Sequence, residues 1–180
     1  PVRIVLRGFG VQTSPLQRFS LMDHFFDFLA HAQQHQWSVF YLGSEEAVVE
    51  RAEAIIREHF PQLRIQLHHG YPTDSTTLVQ RINTWEPDIL LVGMGMPQQE
   101  QWILQYLDRL DVPVVTHAGA TLDYYTGAQR RPPLWLSRLG FAGVYRLLHN
   151  PTRLWHRYFV EPWYLLAPTL RAWNRHRRTR

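Results

Sequence analysis

Residues 87–102 read Pro87-Asp88-Ile89-Leu90-Leu91-Val92-Gly93-Met94-Gly95-Met96-Pro97-Gln98-Gln99-Glu100-Gln101-Trp102. The short apolar run from Asp88 to Val92 is too short for a free-standing helix, and it is closed by a Gly-x-Gly-x-Pro turn. It reads as a buried strand, and the polar residues after Pro97 read as the opening of a helix. Glycine lets the backbone come close to a ligand, and proline suits a first helical turn, where its missing N–H is not needed. The N–H groups of such a turn make a seat for a phosphate. The amide of Gln99 and the carboxylate of Glu100 add hydrogen-bonding groups suited to a sugar or a base. Gly93, Gly95, Pro97, Gln99 and Glu100 are therefore candidate binding residues.

The same alternation extends in both directions. Ser20 is placed to cap a helix from about Leu21 to Gln36, with Leu21, Phe25, Phe28 and Leu29 on one face. Trp37 to Leu42 reads as a strand closed by Gly43-Ser44. Glu45 to Phe60 follows as a helix with acidic residues in its first turn, as the dipole favours, and Pro61 ends it. A short strand from Arg64 to Leu67 leads into His68-His69-Gly70-Tyr71. A helix starts at Asp74 or Ser75 and runs to Trp85. After the quoted stretch come a helix from Gln98 to Leu110 and a strand from Val112 to Thr116. Successive strand–helix–strand units imply an α/β, Rossmann-like parallel sheet with helices on both faces and right-handed crossovers. Ligands in such sheets sit outside the carboxyl ends of the strands. Those ends carry Gly43-Ser44, Gly70-Tyr71, Gly93-Met94-Gly95 and His117-Ala118-Gly119-Ala120, which adds Gly43, Gly70, Tyr71 and Gly119 to the candidates.

From about Arg130 the pattern changes to amphipathic helical segments punctuated by Pro132-Pro133, Gly140, Pro151, Pro162 and Pro168. The expected organisation is an α/β core over residues 1–129 and a basic, Arg/Trp-rich helical C-terminal appendage over residues 130–180. Charge divides at the same place. All 19 basic residues are arginine. Residues 1–129 hold 8 Arg against 14 acidic residues, whereas residues 130–180 hold 11 Arg against Glu161 alone. Four of the seven tryptophans (Trp135, Trp155, Trp163, Trp173) lie in this basic part. That combination suggests an anionic partner: a phosphate, a membrane surface or a nucleic acid.

Other features narrow the classes. A chain of 180 residues suffices for one core burying roughly 70% of its unfolded surface. The absence of cysteine excludes disulfide and thiolate chemistry. No apolar run is long enough to span a bilayer. The ten histidines do not form a convincing metal set. His68 and His69 are adjacent and would face opposite sides of a strand, and His31 and His35 have zinc-like spacing without the glutamate of a metalloprotease. No metal and no cofactor are expected.

Three motifs in order resemble the WecG/TagA/CpsF family of bacterial glycosyltransferases. Gly93-Met94-Gly95-Met96-Pro97-Gln98-Gln99-Glu100 is similar to the family's Gly-x-Gly-x-Pro, basic residue, Gln-Glu, with Gln98 at the basic position. Gly119-Ala120-Thr121-Leu122-Asp123-Tyr124-Tyr125-Thr126-Gly127 with Arg131-Pro132-Pro133 resembles the next motif. Tyr145-Arg146-Leu147, Pro151-Thr152-Arg153-Leu154 and Arg157-Tyr158 resemble the C-terminal signature. Phe141-Ala142-Gly143 stands where the family has Leu-Glu-Trp, which bears on substrate choice.

The resemblance implies inverting, metal-independent transfer of an N-acetylmannosamine-type or glucose-type sugar. The donor would be a UDP-sugar and the acceptor a polyprenyl-diphosphate-linked sugar, in surface-polysaccharide or cell-wall polymer synthesis. It adds Asp123 to the donor-binding set and gives Arg131, Arg146, Arg153 and Arg157 the role of holding the diphosphate, for which the guanidinium fork is suited. It also implies a cytoplasmic protein peripheral at the inner face of the plasma membrane, meeting an anionic membrane surface through its C-terminal region. A homo-oligomer is among the assemblies left open. The family's general base is an aspartate in an Asp-Gly pair whose matching point falls upstream of Pro1. The catalytic residue is accordingly unknown within residues 1–180, and this chain alone is expected to bind weakly and turn over poorly.

Plainer readings stand beside these. Gly93 and Gly95 also fit a tight turn that binds nothing, Gln99-Glu100 a solvated first helical turn, and Asp123 a turn cap. Arg146, Arg153 and Arg157 also fit a solvated helix face, although no acid compensates it. Rival functions are a non-catalytic nucleotide-binding pseudoenzyme and an Arg-rich nucleic-acid-binding module. The latter lacks any recognisable reading motif, so nucleic acid is not the expected partner.

Overall fold

The computed structural model describes residues 9–12, 20–72, 74–129, 136, 142–149 and 151–178. They divide into two units, Ser20–Arg130 and the remainder of the chain on either side of it.

Ser20–Arg130 is built on four parallel strands: β1 Val39–Gly43, β2 Ile65–His68, β3 Ile89–Gly93 and β4 Val114–His117, in the order β2-β1-β3-β4. β1 is paired on both sides, Val39 lying opposite Ile65 on β2 and Ile89 on β3. β3 in turn pairs Ile89 with Val114 of β4. The two central strands are the apolar runs VFYLG and ILLVG, and both are almost wholly buried. Alternate residues of each strand face opposite sides of the sheet. Val39, Tyr41 and Leu91 join one core, and Phe40, Leu42, Leu90 and Val92 join another.

Each face is covered by helices whose apolar stripes have the 3.6-residue period. On the first lie α1 (Phe25–Gln34), through Phe25, Leu29 and Ala32, and α2 (Glu46–His59), through Val48, Ala52 and Ile56. On the second lie α3 (Ser75–Trp85), through Leu78, Val79 and Ile82, and α4 (Gln98–Tyr106), through Trp102. A short helix, α5 (Thr121–Tyr125), follows β4 and buries Leu122 in the first core. Fully burying one such aliphatic side chain contributes about 1.5–3 kcal/mol. The two-faced, Rossmann-like arrangement expected from the sequence is the one observed.

The N-terminal ends of β1 and β3 are clipped together. Ser38, 1% exposed, donates from its backbone N–H and its Oγ to Asp88 Oδ2, both at 2.7 Å, and accepts from Asp88 N–H at 3.0 Å. These bonds, led by the Ser38 backbone N–H, hold the Asp88 carboxyl below its ordinary value. At α3, Asp74 caps the helix by accepting from Thr76 N–H at 2.8 Å.

Several local expectations are corrected. Ser20 makes no side-chain cap, and residues Leu21–Asp23 form a 3-10 turn before α1 begins at Phe25. Such tight turns commonly precede helices, and here His24, at φ −124°, separates the two. The helix expected to reach Leu110 leaves α geometry after Tyr106, and Leu107–Arg109 tighten into a 3-10 turn. Pro97 occupies the N-cap of α4 and not its first helical position.

The other unit contains three helices among its described residues: α6 (Ala142–His149), α7 (Pro151–Phe159) and α8 (Glu161–Arg178), with Pro168 inside α8. No described helix is long and apolar enough to cross a membrane.

Candidate functional site at the strand ends

Strand order decides where the site lies. The chain runs from β1 out to β2, returns to place β3 on the other side of β1, and continues to β4. The order therefore reverses between β1 and β3. The helix after β1 (α2) packs on one face and the helix after β3 (α4) on the other. The two connections diverge there, and the carboxyl ends of strands at such a point are the usual ligand position in open parallel sheets.

Most of the candidate residues meet around this rim. Gly43 and Gly93 are register partners at the ends of β1 and β3. A Cβ on Gly43 would strike the Gly93 carbonyl, and one on Gly93 would strike the Tyr41 phenol and come within 2.8 Å of Gly119 O. A Cβ on Gly70 would lie 3.0 Å from Gly43 Cα. Packing alone therefore explains these three glycines, where the sequence reading invoked close approach to a ligand. Gly95 (φ +81°) and Gly119 (φ +59°) adopt left-handed conformations that favour glycine.

Gln99 and Glu100 differ in their surroundings. Gln99 is 1% exposed. Its Oε1 accepts from Gly119 N–H at 3.1 Å and its Nε2 donates to Glu100 Oε1 at 2.8 Å. Its backbone N–H, expected to face a phosphate, donates instead to Gly95 O at 3.0 Å. Gln99 thus ties the start of α4 to the turn after β4. Glu100 is the third residue of α4, where a glutamate ordinarily accepts from the N-cap N–H. Pro97 is the N-cap and has no N–H, and the buried Glu100 Oε2 has no hydrogen-bond partner. A buried carboxylate oxygen in that state calls for a donor.

Asp123 stands in the first turn of α5, and its Oδ2 accepts from Ser44 Oγ at 3.2 Å. Beneath it, the fully buried Tyr41 donates to Gly119 O at 3.4 Å. Burial drives the Tyr41 phenol far above its ordinary value; the Leu122 backbone hydrogen bond opposes it, the Asp123 charge adds to the rise, and the Ser44 hydroxyl lowers it slightly. Tyr41 is therefore a fixed donor and not a titrating group. Ser44 and Tyr41 were not singled out from the sequence. The signal for Ser44 is its place after a strand-ending glycine, where the backbone turns left-handed (φ +63°).

The β2 end is more open. His68, His69, Pro72, Asp74, Thr77, Leu78 and Arg81 line a shallow recess of about 280 Å³. The strand stops at His68, so the His68 and His69 rings stack at 4.5 Å and do not face opposite sides as the sequence suggested. Burial lowers the His68 pKa, and its Nδ1 donates to His69 O at 2.8 Å. Tyr71 is 59% exposed, and its backbone N–H donates to His69 Nδ1 at 3.3 Å. Among the described residues no set of three or more His, Asp or Glu could hold a metal ion. Arg131 lies outside the described residues. Arg146 falls on α6, and Arg153 and Arg157 on α7, but their side chains are not among those described.

Residues 1–179 match the model of the Glycosyl transferase WecG/TagA/CpsF family. The chain belongs to that family. Among curated proteins it is similar to N-acetylglucosaminyldiphosphoundecaprenol N-acetyl-beta-D-mannosaminyltransferases of Staphylococcus aureus. The strain MW2 protein is 35% identical over 127 residues, covering 70% of this chain and 49% of the relative. Those of strains NCTC 8325 / PS 47 and COL are 36% identical over the same length and shares. The chain spans about half the length of the curated relatives it matches. Membership gives the rim a context: Gly93–Glu100 and Gly119–Gly127, the two motifs that resembled the family in sequence, meet through the Gln99–Gly119 hydrogen bond.

Proposed function

We propose that this chain carries the donor-side site of a glycosyltransferase moving a sugar of the N-acetylmannosamine or glucose type. The donor is a UDP-sugar and the acceptor a polyprenyl-diphosphate-linked sugar. The carrying observation is that the two motifs that resemble the family are joined by the Gln99–Gly119 hydrogen bond at the strand ends where strand order reverses. Glu100 and Asp123 supply acceptors for ligand O–H or N–H groups, and the unpartnered Glu100 Oε2 supports a ligand contact there. Gln99 holds this wall in place through Gly119.

Transfer with inversion requires positive charge on the departing diphosphate. In a metal-independent enzyme that charge comes from arginine and helix N-termini, and Arg131, Arg146, Arg153 and Arg157 fill that role in this reading. The support is electrostatic, because residues 130–180 carry a single acid. The protein acts from the cytoplasmic membrane face, where its lipid-linked acceptor resides. The exposed Trp155, Phe159, Trp163 and Tyr164 on α7 and α8 support that placement.

Titrating UDP to millimolar concentration into the ¹⁵N-labelled chain tests the donor site. The amide signals of Ser44, Gly93 to Glu100, Gly119 and Asp123 are expected to shift together. Unchanged signals at these residues, with UDP and UDP-N-acetylmannosamine alike, would overturn the reading.

A further inference from the structure

We propose that Ser44 is a positioning residue that sets the Asp123 carboxylate for hydrogen bonding to an O–H or N–H group of the donor nucleotide; this rests on the donor-site reading above. Ser44 has φ +63°, a conformation in which L side chains crowd the backbone and glycine is the low-energy choice. It follows Gly43 at the end of β1, beside the point where strand order reverses. The residue is 6% exposed, so hydration of its hydroxyl does not explain a serine at this place. The hydroxyl donates to Asp123 Oδ2 at 3.2 Å, across 79 residues of sequence, and also meets the Tyr41 phenol, which is itself fixed in the core.

The backbone of Ser44 is itself held from two sides. Its N–H donates to Gly93 O at 3.2 Å, and its carbonyl accepts from Gly70 N–H at 2.9 Å. The hydroxyl is therefore mounted on a turn tied to the ends of β3 and β2. A carboxylate bonded to a donor on such a mount is restrained in rotamer, and with it the direction in which its oxygens face. Preorganised acceptors of this kind lose little entropy when a ligand binds.

A purely structural staple from β1 to α5 would predict something different. Ser44→Gly relieves the left-handed conformation while deleting the hydroxyl, so it separates the two roles. Titration calorimetry with UDP on the chain, with thermal unfolding alongside, reads both. Ser44→Gly is expected to keep the wild-type melting temperature or exceed it, and to weaken UDP binding about tenfold, the loss of one hydrogen bond to a charged acceptor. Ser44→Asn, which tolerates this backbone and restores an N–H donor, is expected to recover most of the affinity. In an Asp123→Asn background Ser44→Gly should add little, because its route is gone. The proposal falls if Ser44→Gly binds UDP as wild type does, or weakens the Asp123→Asn variant by the same factor. If the wild-type chain does not bind UDP, the donor-site reading itself falls and the role of Ser44 with it.

Discussion

Gly93 shows how one residue carries two explanations that the sequence cannot separate. A glycine after a buried strand suits a ligand that must approach the backbone, and it equally suits a neighbour already there. Here the neighbour is the Tyr41 phenol, fully buried and hydrogen-bonded to Gly119 O. A methyl group at Gly93 would have to displace that ring from a packed core, and overpacking of this kind costs about 1–3 kcal/mol or more. Gly93→Ala is therefore expected to lower stability by at least about 1 kcal/mol in urea unfolding, with or without nucleotide. Wild-type stability in that variant would show that Tyr41 does not press on Gly93, and the ligand explanation would regain its place. Gln99 carries the same lesson in reverse. Its type and its place at a helix start suggested contact with a ligand, but its burial and its bond to Gly119 depend on a partner 20 residues away. Ser44 and Asp123 lie further apart still, which is why their pairing was not legible.

At the scale of elements, most of the sheet and its helices could be read directly, because apolar runs and 3.6-residue stripes are local signals. Element ends were less legible where tertiary bonds decide them. Trp37 and Ser38 look like the start of β1, yet the strand begins at Val39 and Ser38 serves as a clip to Asp88. That clip makes a pH-dependent contribution. Because the hydrogen bonds from Ser38, its backbone N–H first, hold the Asp88 carboxyl below its ordinary value of 3.8, its stabilisation is fully present above that value. It is lost as the pH falls through the folded-state pKa, where the carboxylate takes up a proton. Asp88→Asn is expected to be less stable than wild type at pH 7, by on the order of 1 kcal/mol for weakened hydrogen bonds. The difference should shrink as the pH falls below about 4 and the carboxylate takes up its proton. A stability gap that stayed constant from pH 7 down through the acid range would mean that the charge of Asp88 plays no part in joining β1 to β3.

Across the whole molecule, the division of charge and the division of structure run close together. The sheet-bearing part is acidic on balance, while residues 130–180 carry 11 arginines and one acid. Within the second unit, Trp155 (58% exposed), Trp163 (70%) and Tyr164 (71%) leave α7 and α8 with exposed aromatic rings. Trp155 packs on Phe159 with ring centroids 4.6 Å apart. Aromatic rings of this size settle at the headgroup level, and each arginine near an anionic surface adds about 1 kcal/mol of attraction. The combination suits a helix pair lying on a membrane and is poorly suited to free solution. The chain is accordingly expected to co-sediment with vesicles of phosphatidylglycerol and phosphatidylcholine at equal parts, and much less with phosphatidylcholine alone. Raising the salt to about 0.5 M should release a large share of it, since charges are then screened within a few ångströms. Trp155→Ala combined with Trp163→Ala should weaken binding about tenfold or more at low salt, because two interfacial anchors are removed while the arginines remain. Equal binding to neutral vesicles, or no loss in the double variant, would separate the basic region from the membrane.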